Sequence, residues 1–283
     1  MSGNVLNSNI DLQRPVKLAE DVYWVGFYDE EAGIQCNPYL IIDGDEGVLI
    51  DGGSRPDFPT VMMKILQTGL PPGMISTLIY QHYDPDLCGS LPNLEDIINR
   101  PTLKILSHSH NNFFIRHYMV RSKLYCIDQI GRKLQLKSGR TLRFIPTPFS
   151  HASGSFMTYD EKSGILFSSD IFGSYSKRAV GMSLFGELPD VCHTCDDKDA
   201  GLDGYICASA AAPCPLTPMF KWRREIMTSN KALRHALKLT DATAPSALAP
   251  QHGHVLTREM DIRLITRRLM ELGNIGIDGI PNA

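Results

Sequence analysis

An α/β fold with sheets covered by helices is what this sequence predicts, on three observations. Short β-branched and aromatic runs alternate with helical patterns through the front half of the chain. A hairpin signature stands in the middle, and two helical patterns return toward the C-terminal end. The chain's 283 residues can bury a sizeable core. No solenoid repeat and no low-complexity linker divides it, so one domain over 1–283 is the simplest reading.

Residues 22–28, 39–42 and 47–51 read as strands, the last following an acidic turn that contains glycine. A helix is expected over 58–67, ended by Gly69 and the Pro71-Pro72-Gly73 break. The apolar run 75–80 reads as a buried strand leading into the loop 81–90, after which 91–99 forms a helix capped by Ser90. Residues 103–106, 123–126 and 140–145 are further strands. Runs 155–159 and 165–169 flank the turn 160–164 as a hairpin. An irregular stretch rich in Cys and Gly covers 174–215, and helical patterns follow at 218–239 and 258–272.

Composition excludes several classes. Hydrophobic residues at 43% and charged residues at 21% argue against a disordered, collagen-like or coiled-coil chain. Twenty-eight basic residues against 31 acidic ones leave a formal charge of -3, so neither nucleic acid nor an anionic membrane is an expected partner. No apolar run reaches the ~18 residues of a spanning helix. The polar start has no apolar signal region, so a soluble cytoplasmic protein is expected. Seven cysteines is an odd number in a chain long enough to do without staples, and most are expected to be reduced.

Chemistry concentrates where ligand-type side chains follow strands. In His82-Tyr83-Asp84-Pro85-Asp86, alternate residues of an extended or turning backbone point the same way, so His82, Asp84 and Asp86 can converge. Two close carboxylates beside an apolar run repel unless a cation offsets them, which favours metal binding over a solvated acidic loop. His151, Asp170 and His252 supply three more segments, each by itself more often a surface or turn residue than a ligand. Three imidazoles and three carboxylates without a thiolate favour iron or manganese over zinc, although affinity order alone does not exclude zinc.

This order of residues resembles the metallo-β-lactamase fold, and within it the flavodiiron proteins and the stand-alone oxygen-binding diiron proteins. The resemblance begins at Val22-Tyr-Trp-Val-Gly26 and runs through Asn37-Pro-Tyr-Leu40 and Leu49-Ile-Asp-Gly52. It ends at Pro250-Gln-His-Gly253 and is weakest over 174–215. It implies an αββα sandwich of two mixed sheets. It also implies that His82, Asp84 and His151 hold one iron, that Asp86 and His252 hold the other, and that Asp170 bridges them. Two positions depart from the pattern. Asp84 stands where the flavodiiron enzymes usually have Glu, and Leu87 replaces a His that the zinc hydrolases of the fold use as a ligand.

The resemblance further implies a diiron protein that binds O2 (as a peroxo adduct) or NO. An oxygen or iron sensor or a redox protein is favoured, with a signalling or electron-donor protein and a second copy of the chain as partners. Because the chain ends at Ala283 and has no Gly-rich dinucleotide fingerprint, neither a flavodoxin domain nor bound flavin is expected. The segment 29–37, shorter than the flavodiiron enzymes carry, favours binding over reduction. A metal-dependent hydrolase, an O2/NO reductase with an external donor, and a degenerate signalling module are the alternatives. Cys192, Cys195, Cys207 and Cys214 could form a four-cysteine zinc site, two disulfides, or remain ordinary thiols. Surface or capping roles are expected for His108 and His110, and core for Trp24 and Cys88. Tyr83 and Phe149 are expected to line a gas pocket or to be core, and His254 competes with its neighbour His252.

Overall fold

The computed structural model describes residues 10–29, 33–175 and 184–281. The extreme N-terminus, part of the short 29–37 segment and part of the irregular stretch therefore lie outside the described residues. Strands β1 (Val16–Ala19) and β2 (Val22–Trp24) precede a small hairpin, β3 (Phe27–Asp29) and β4 (Ile34–Cys36), and then β5 (Tyr39–Asp43) and β6 (Glu46–Ile50). Helix α1 (Phe58–Gln67), β7 (Ile75–Ile79), α2 (Pro85–Cys88), α3 (Leu91–Ile98), β8 (Lys104–Ser107), α4 (Ser109–Ile115) and β9 (Lys123–Cys126) follow. Next come β10 (Lys133–Gln135), β11 (Thr141–Pro146), β12 (Phe156–Asp160) and β13 (Ile165–Phe167). The remainder holds α5 (Asp190–His193), β14 (Ile206–Cys207), β15 (Ala212–Pro213), α6 (Thr217–Ile226), α7 (Asn230–Thr243), β16 (Ala247–Ala249) and α8 (Glu259–Glu271).

The larger sheet runs β1-β2-β5-β6-β7-β8-β9 and the smaller β10-β11-β12-β13-β16. In the first, β6 to β9 are parallel; in the second, only β13 and β16 are. Alternation along the strands sets the layers. Tyr39, Ile41, Val48, Ile50, Ile79 and Leu106 face Phe144, Phe156, Phe167 and Ala249 between the sheets. Their neighbours Leu40, Leu49, Leu78 and Ile105 turn outward onto Val61 and Ile65 of α1 and Leu91 and Leu94 of α3. Leu166 and Leu248 face Leu233 and Leu237 of α7 and Ile265 and Leu269 of α8. Helix, sheet, sheet and helix thus stack as expected, and each such fully buried side chain contributes about 1.5–3 kcal/mol.

Several local expectations are corrected. The run 22–28 is two strands, broken at Gly26, where a Cβ would lie 2.2 Å from the Cys36 carbonyl oxygen. The pattern at 218–239 is two helices, because Met227 is extended and Ser229 starts α7 by accepting from the Ala232 N–H. Ser90 precedes α3 without capping it; its hydroxyl donates to the Gly52 carbonyl at 2.8 Å instead. The irregular stretch contains a helical turn, α5, and a small hairpin, β14 and β15.

Candidate metal centre

Strands β11, β13 and β16 run in one direction, so the segments leaving their C-terminal ends, together with the one leaving β7, can meet over one rim of the sandwich. Pro85 opens α2, and this turn separates the two carboxylates that flank it. Asp84 joins His82 and His151, whereas Asp86 joins His252 and Cys36; within each group the ligand-type atoms lie within 4.8 Å of one another. A simple extended strand would have aimed all three residues of the loop to one place.

Asp170 lies between the two groups. One carboxylate oxygen is 3.0 Å from His151 Nε2 and 3.6 Å from His82 Nε2, and the other is 3.6 Å from His252 Nε2. Asp84 is 3.3 Å from His151 Nε2 and 3.8 Å from His82 Nε2, and Asp86 is 3.0 Å from His252 Nε2. Asp170 is only 2% exposed, and among the described residues its Oδ1 has no hydrogen-bond partner. All six residues singled out in the sequence meet here and could hold two metal ions. His254 is exposed, and it is His252 that turns inward.

The imidazoles are oriented from behind. His82 Nδ1 meets the Ser169 hydroxyl at 3.1 Å, and His252 Nδ1 meets the Gln35 carbonyl at 3.0 Å, which turns each Nε2 toward the carboxylates. Asn37 fixes the 250–253 loop by donating to the carbonyls of Pro250 and Gly253, both at 2.9 Å, while accepting from Trp24 Nε1 at 2.8 Å. The Tyr39 hydroxyl adds a third bond to this loop, at 2.7 Å to Pro250 O. Phe149 and Ser169, adjacent to the segments of His151 and Asp170, both have positive φ. Each such backbone costs on the order of 1–3 kcal/mol and persists because its surroundings fix it.

Charge is balanced within the cluster. Burial opposes ionisation of Asp170, but His82, His151 and His252 outweigh it and hold the carboxyl far below the usual range. Burial likewise opposes the His252 imidazolium, and Cys36, Asp86 and Asp170 overcome it, raising the group well above an ordinary histidine. His151 is raised in the same sense by Asp170 and Asp84 against its burial, whereas burial prevails at His82 and lowers it.

Three neighbours lacked any sequence signal. Cys36 is buried, with Sγ 3.7 Å from His252 Nδ1. The Trp222 ring stacks on His252 at 4.9 Å between centroids. Arg223 is fully buried and donates from Nη1 to the Asp170 carbonyl; burial pushes its pKa from 12.5 down to about 10, against the pull of Asp170. Cys36 and Trp222 approach through folding contacts with His252, and a lone Arg in a helix carries no ligand pattern.

The remaining candidates fall elsewhere. His108 starts α4, accepting from the His110 N–H, and pairs with Asp128 at 3.4 Å. Trp24 and Cys88 are core. Tyr83 stacks on Phe114, and Phe149 is 55% exposed, so Phe149 is not core. All seven cysteines are free thiols. Cys192, Cys195, Cys207 and Cys214 nonetheless line one cavity of about 150 Å³, away from the His/Asp cluster. Burial raises the Cys192 thiol, and the neighbouring Cys214, Cys195 and Cys207 reinforce this.

Known proteins resemble this chain in sequence and fold. A structure described as the peroxy diiron species of chemotaxis sensor ODP superposes with a TM-score of 0.70 at 26% identity, covering 94% of this chain and 97% of that one. The flavo-diiron protein FprA2 of Clostridium acetobutylicum is 23% identical over 86% of this chain and 58% of its own length. Diflavin flavoprotein A 1 of Synechocystis sp. is 28% identical over 52% of this chain. The chain spans about a quarter of the length of the diflavin flavoproteins it matches. The family model described as ODP family beta lactamase matches residues 34–253, a span that takes in all six His and Asp residues, and the chain belongs to that family.

Proposed function

We propose that this chain is a non-heme diiron protein that binds O2 and serves as an oxygen or iron sensor. The observation that carries the reading is Asp170, buried between two His/Asp groups with one oxygen toward each and Oδ1 otherwise unpartnered. That orphaned oxygen, with three imidazoles and three carboxylates around it, suits a pair of divalent irons. His82, Asp84 and His151 would hold one iron and Asp86 and His252 the other, with Asp170 shared. Bound there, the irons would supply the redox-active open positions at which O2, or NO, is taken up.

The protein's own groups prepare this site. The Ser169 hydroxyl and the Gln35 carbonyl set the ring orientation of His82 and His252. Trp222 covers one face of His252 and limits the approach of water to it. Arg223 places a buried positive charge behind Asp170 and fixes its backbone. His151 and His252 hold protons that are released when metal takes their place.

Sensing is favoured over turnover by the likeness to the chemotaxis sensor ODP, at 26% identity over nearly the whole of both chains. A signalling protein would then be the partner, in the cytoplasm, with assembly of two copies as a further possibility. An O2/NO reductase fed by an external donor is the second reading, supported by the likeness to the flavo-diiron protein. A hydrolase is disfavoured because Leu87 is fully buried in the core under α1 and α3, so no imidazole is offered from that position. The test is anaerobic purification, iron and zinc quantitation, and an optical spectrum before and after O2. Two irons per chain and a new visible band on adding O2 are expected. An unchanged spectrum from a fully iron-loaded protein would overturn the proposal.

A further inference from the structure

We propose that Cys192, Cys195, Cys207 and Cys214 form a second metal site, a four-thiolate site for one zinc ion, separate from the His/Asp centre. Two chain segments present these thiols. Cys192 lies in α5 and Cys195 two residues past its end, tied back by the Cys195 N–H to the Cys192 carbonyl at 3.4 Å. Cys207 ends β14 and Cys214 directly follows β15, so both come from one hairpin, closed by the Cys214 N–H to the Tyr205 carbonyl at 3.4 Å. All four line the same cavity of about 150 Å³, together with Tyr205 and Arg268.

The chemistry of the lining selects the ion. Among the described residues, no carboxylate or imidazole lines the cavity. His193, inside the Cys-x-x-Cys turn, is engaged by Asp261 at 2.8 Å, which leaves four sulfurs as the donors. Such a soft set suits zinc, and hard ions such as magnesium or calcium have no oxygen ligands there. A zinc tetrathiolate carries a net negative charge, and Arg268 stands beside it, anchored by its Nη2 bond to the Cys195 carbonyl at 2.9 Å.

The stretch also gains from a clamp. Between Phe185 and Leu216 its elements are only four, two and two residues long, and its backbone is held mostly by short local turns. Among the described residues, the ligand groups lying within 4.8 Å of one another are the two at the His/Asp cluster. No three of the four sulfurs therefore lie within 4.8 Å of one another, wider than the ~3.8 Å edge of a zinc tetrathiolate, and zinc would draw the hairpin toward α5.

The test is zinc and iron quantitation of the full-length protein prepared with and without added zinc, with mercurial titration followed by a zinc indicator. One zinc per chain, released in step with four thiols, is expected. Cys207→Ser should lose that zinc and keep the metal of the His/Asp centre, and Cys195→His should retain it. Cobalt substitution should give the strong thiolate-to-metal absorption of a tetrahedral site. Four freely reactive thiols in zinc-supplemented protein, a disulfide among the four, or iron with sulfide held by them would each overturn the proposal. Zinc that resists the mercurial and leaves only on His252→Ala would do the same, since it would belong to the other centre.

Discussion

Replacing Asp160 with Asn should cost about 3–5 kcal/mol of stability, because it leaves a buried guanidinium without its counter-charge. Arg140 and Asp160 are both 0% exposed at the side chain. The guanidinium grips the carboxylate with two bonds, one of them Nε to Oδ1 at 3.0 Å. The pair joins the start of β11 to the end of β12, at the end of the smaller sheet opposite the rim from which the His151 and Asp170 segments leave. For 283 residues the unfolding entropy is roughly 0.6 kcal/mol/K, so Tm should fall by about 5–8 °C. Denaturant melts of the metal-free protein, compared at equal m, are the assay. Burial opposes the Asp160 charge, but Arg140, Ser163 and the Lys162 N–H outweigh it and lower the carboxyl's pKa. The pair's stabilisation is therefore present above about pH 4 and lost as pH falls through the folded-state value. Arg140→Met with Asp160→Leu should recover most of the loss, since neither charge then remains buried. An Asp160→Asn protein within about 0.5 kcal/mol of the parent would refute the reasoning.

Other outcomes concern the site. Asp170→Asn should reduce bound iron from two per chain to one or fewer, as read by metal analysis, with fold retained by circular dichroism; two irons in the variant would count against a shared carboxylate. Because His151 and His252 are raised in the metal-free protein, their pairing stabilises it below their ordinary pKa of about 6.5 and is lost as pH rises through the raised values. Iron loading should show the opposite slope, tightening with pH and releasing protons measurable in a weakly buffered titration. Arg223→Met should lower stability by about 1–3 kcal/mol, since it leaves the buried Asp170 carbonyl without its donor. Its reduction potential, followed by redox titration, should drop as the positive charge behind Asp170 disappears.

The legible part of the centre was its residue types: His and Asp placed just after apolar strands, at positions 82, 84, 86, 151, 170 and 252. Their partition was not legible from spacing alone. The alternation of an extended loop aims Asp84 and Asp86 together, whereas a helical start at Pro85 sends them apart. Cys36, Trp222 and Arg223 escaped because each reaches the site by tertiary approach from a segment without a ligand pattern. In the fold, the helix-covered sheets followed from apolar runs. The β16 strand was missed because Ala247-Leu248-Ala249 is too short and too small-chained to signal a strand. The Met227 break was missed because the apolar pattern continues through it.

The Asn37 clamp on the 250–253 loop has a consequence for how the protein matures. Its two bonds span 213 and 216 positions of sequence, so the position of His252 is fixed only after residues up to 253 have left the ribosome. The group of His82, Asp84 and His151 can assemble about a hundred residues earlier. The two halves of the centre are thus expected to mature in sequence, with a nascent chain able to capture a single ion before its second position exists. Metal capture by ribosome-bound chains stalled before and after residue 252 would follow that order directly, and equal capture by both would contradict it.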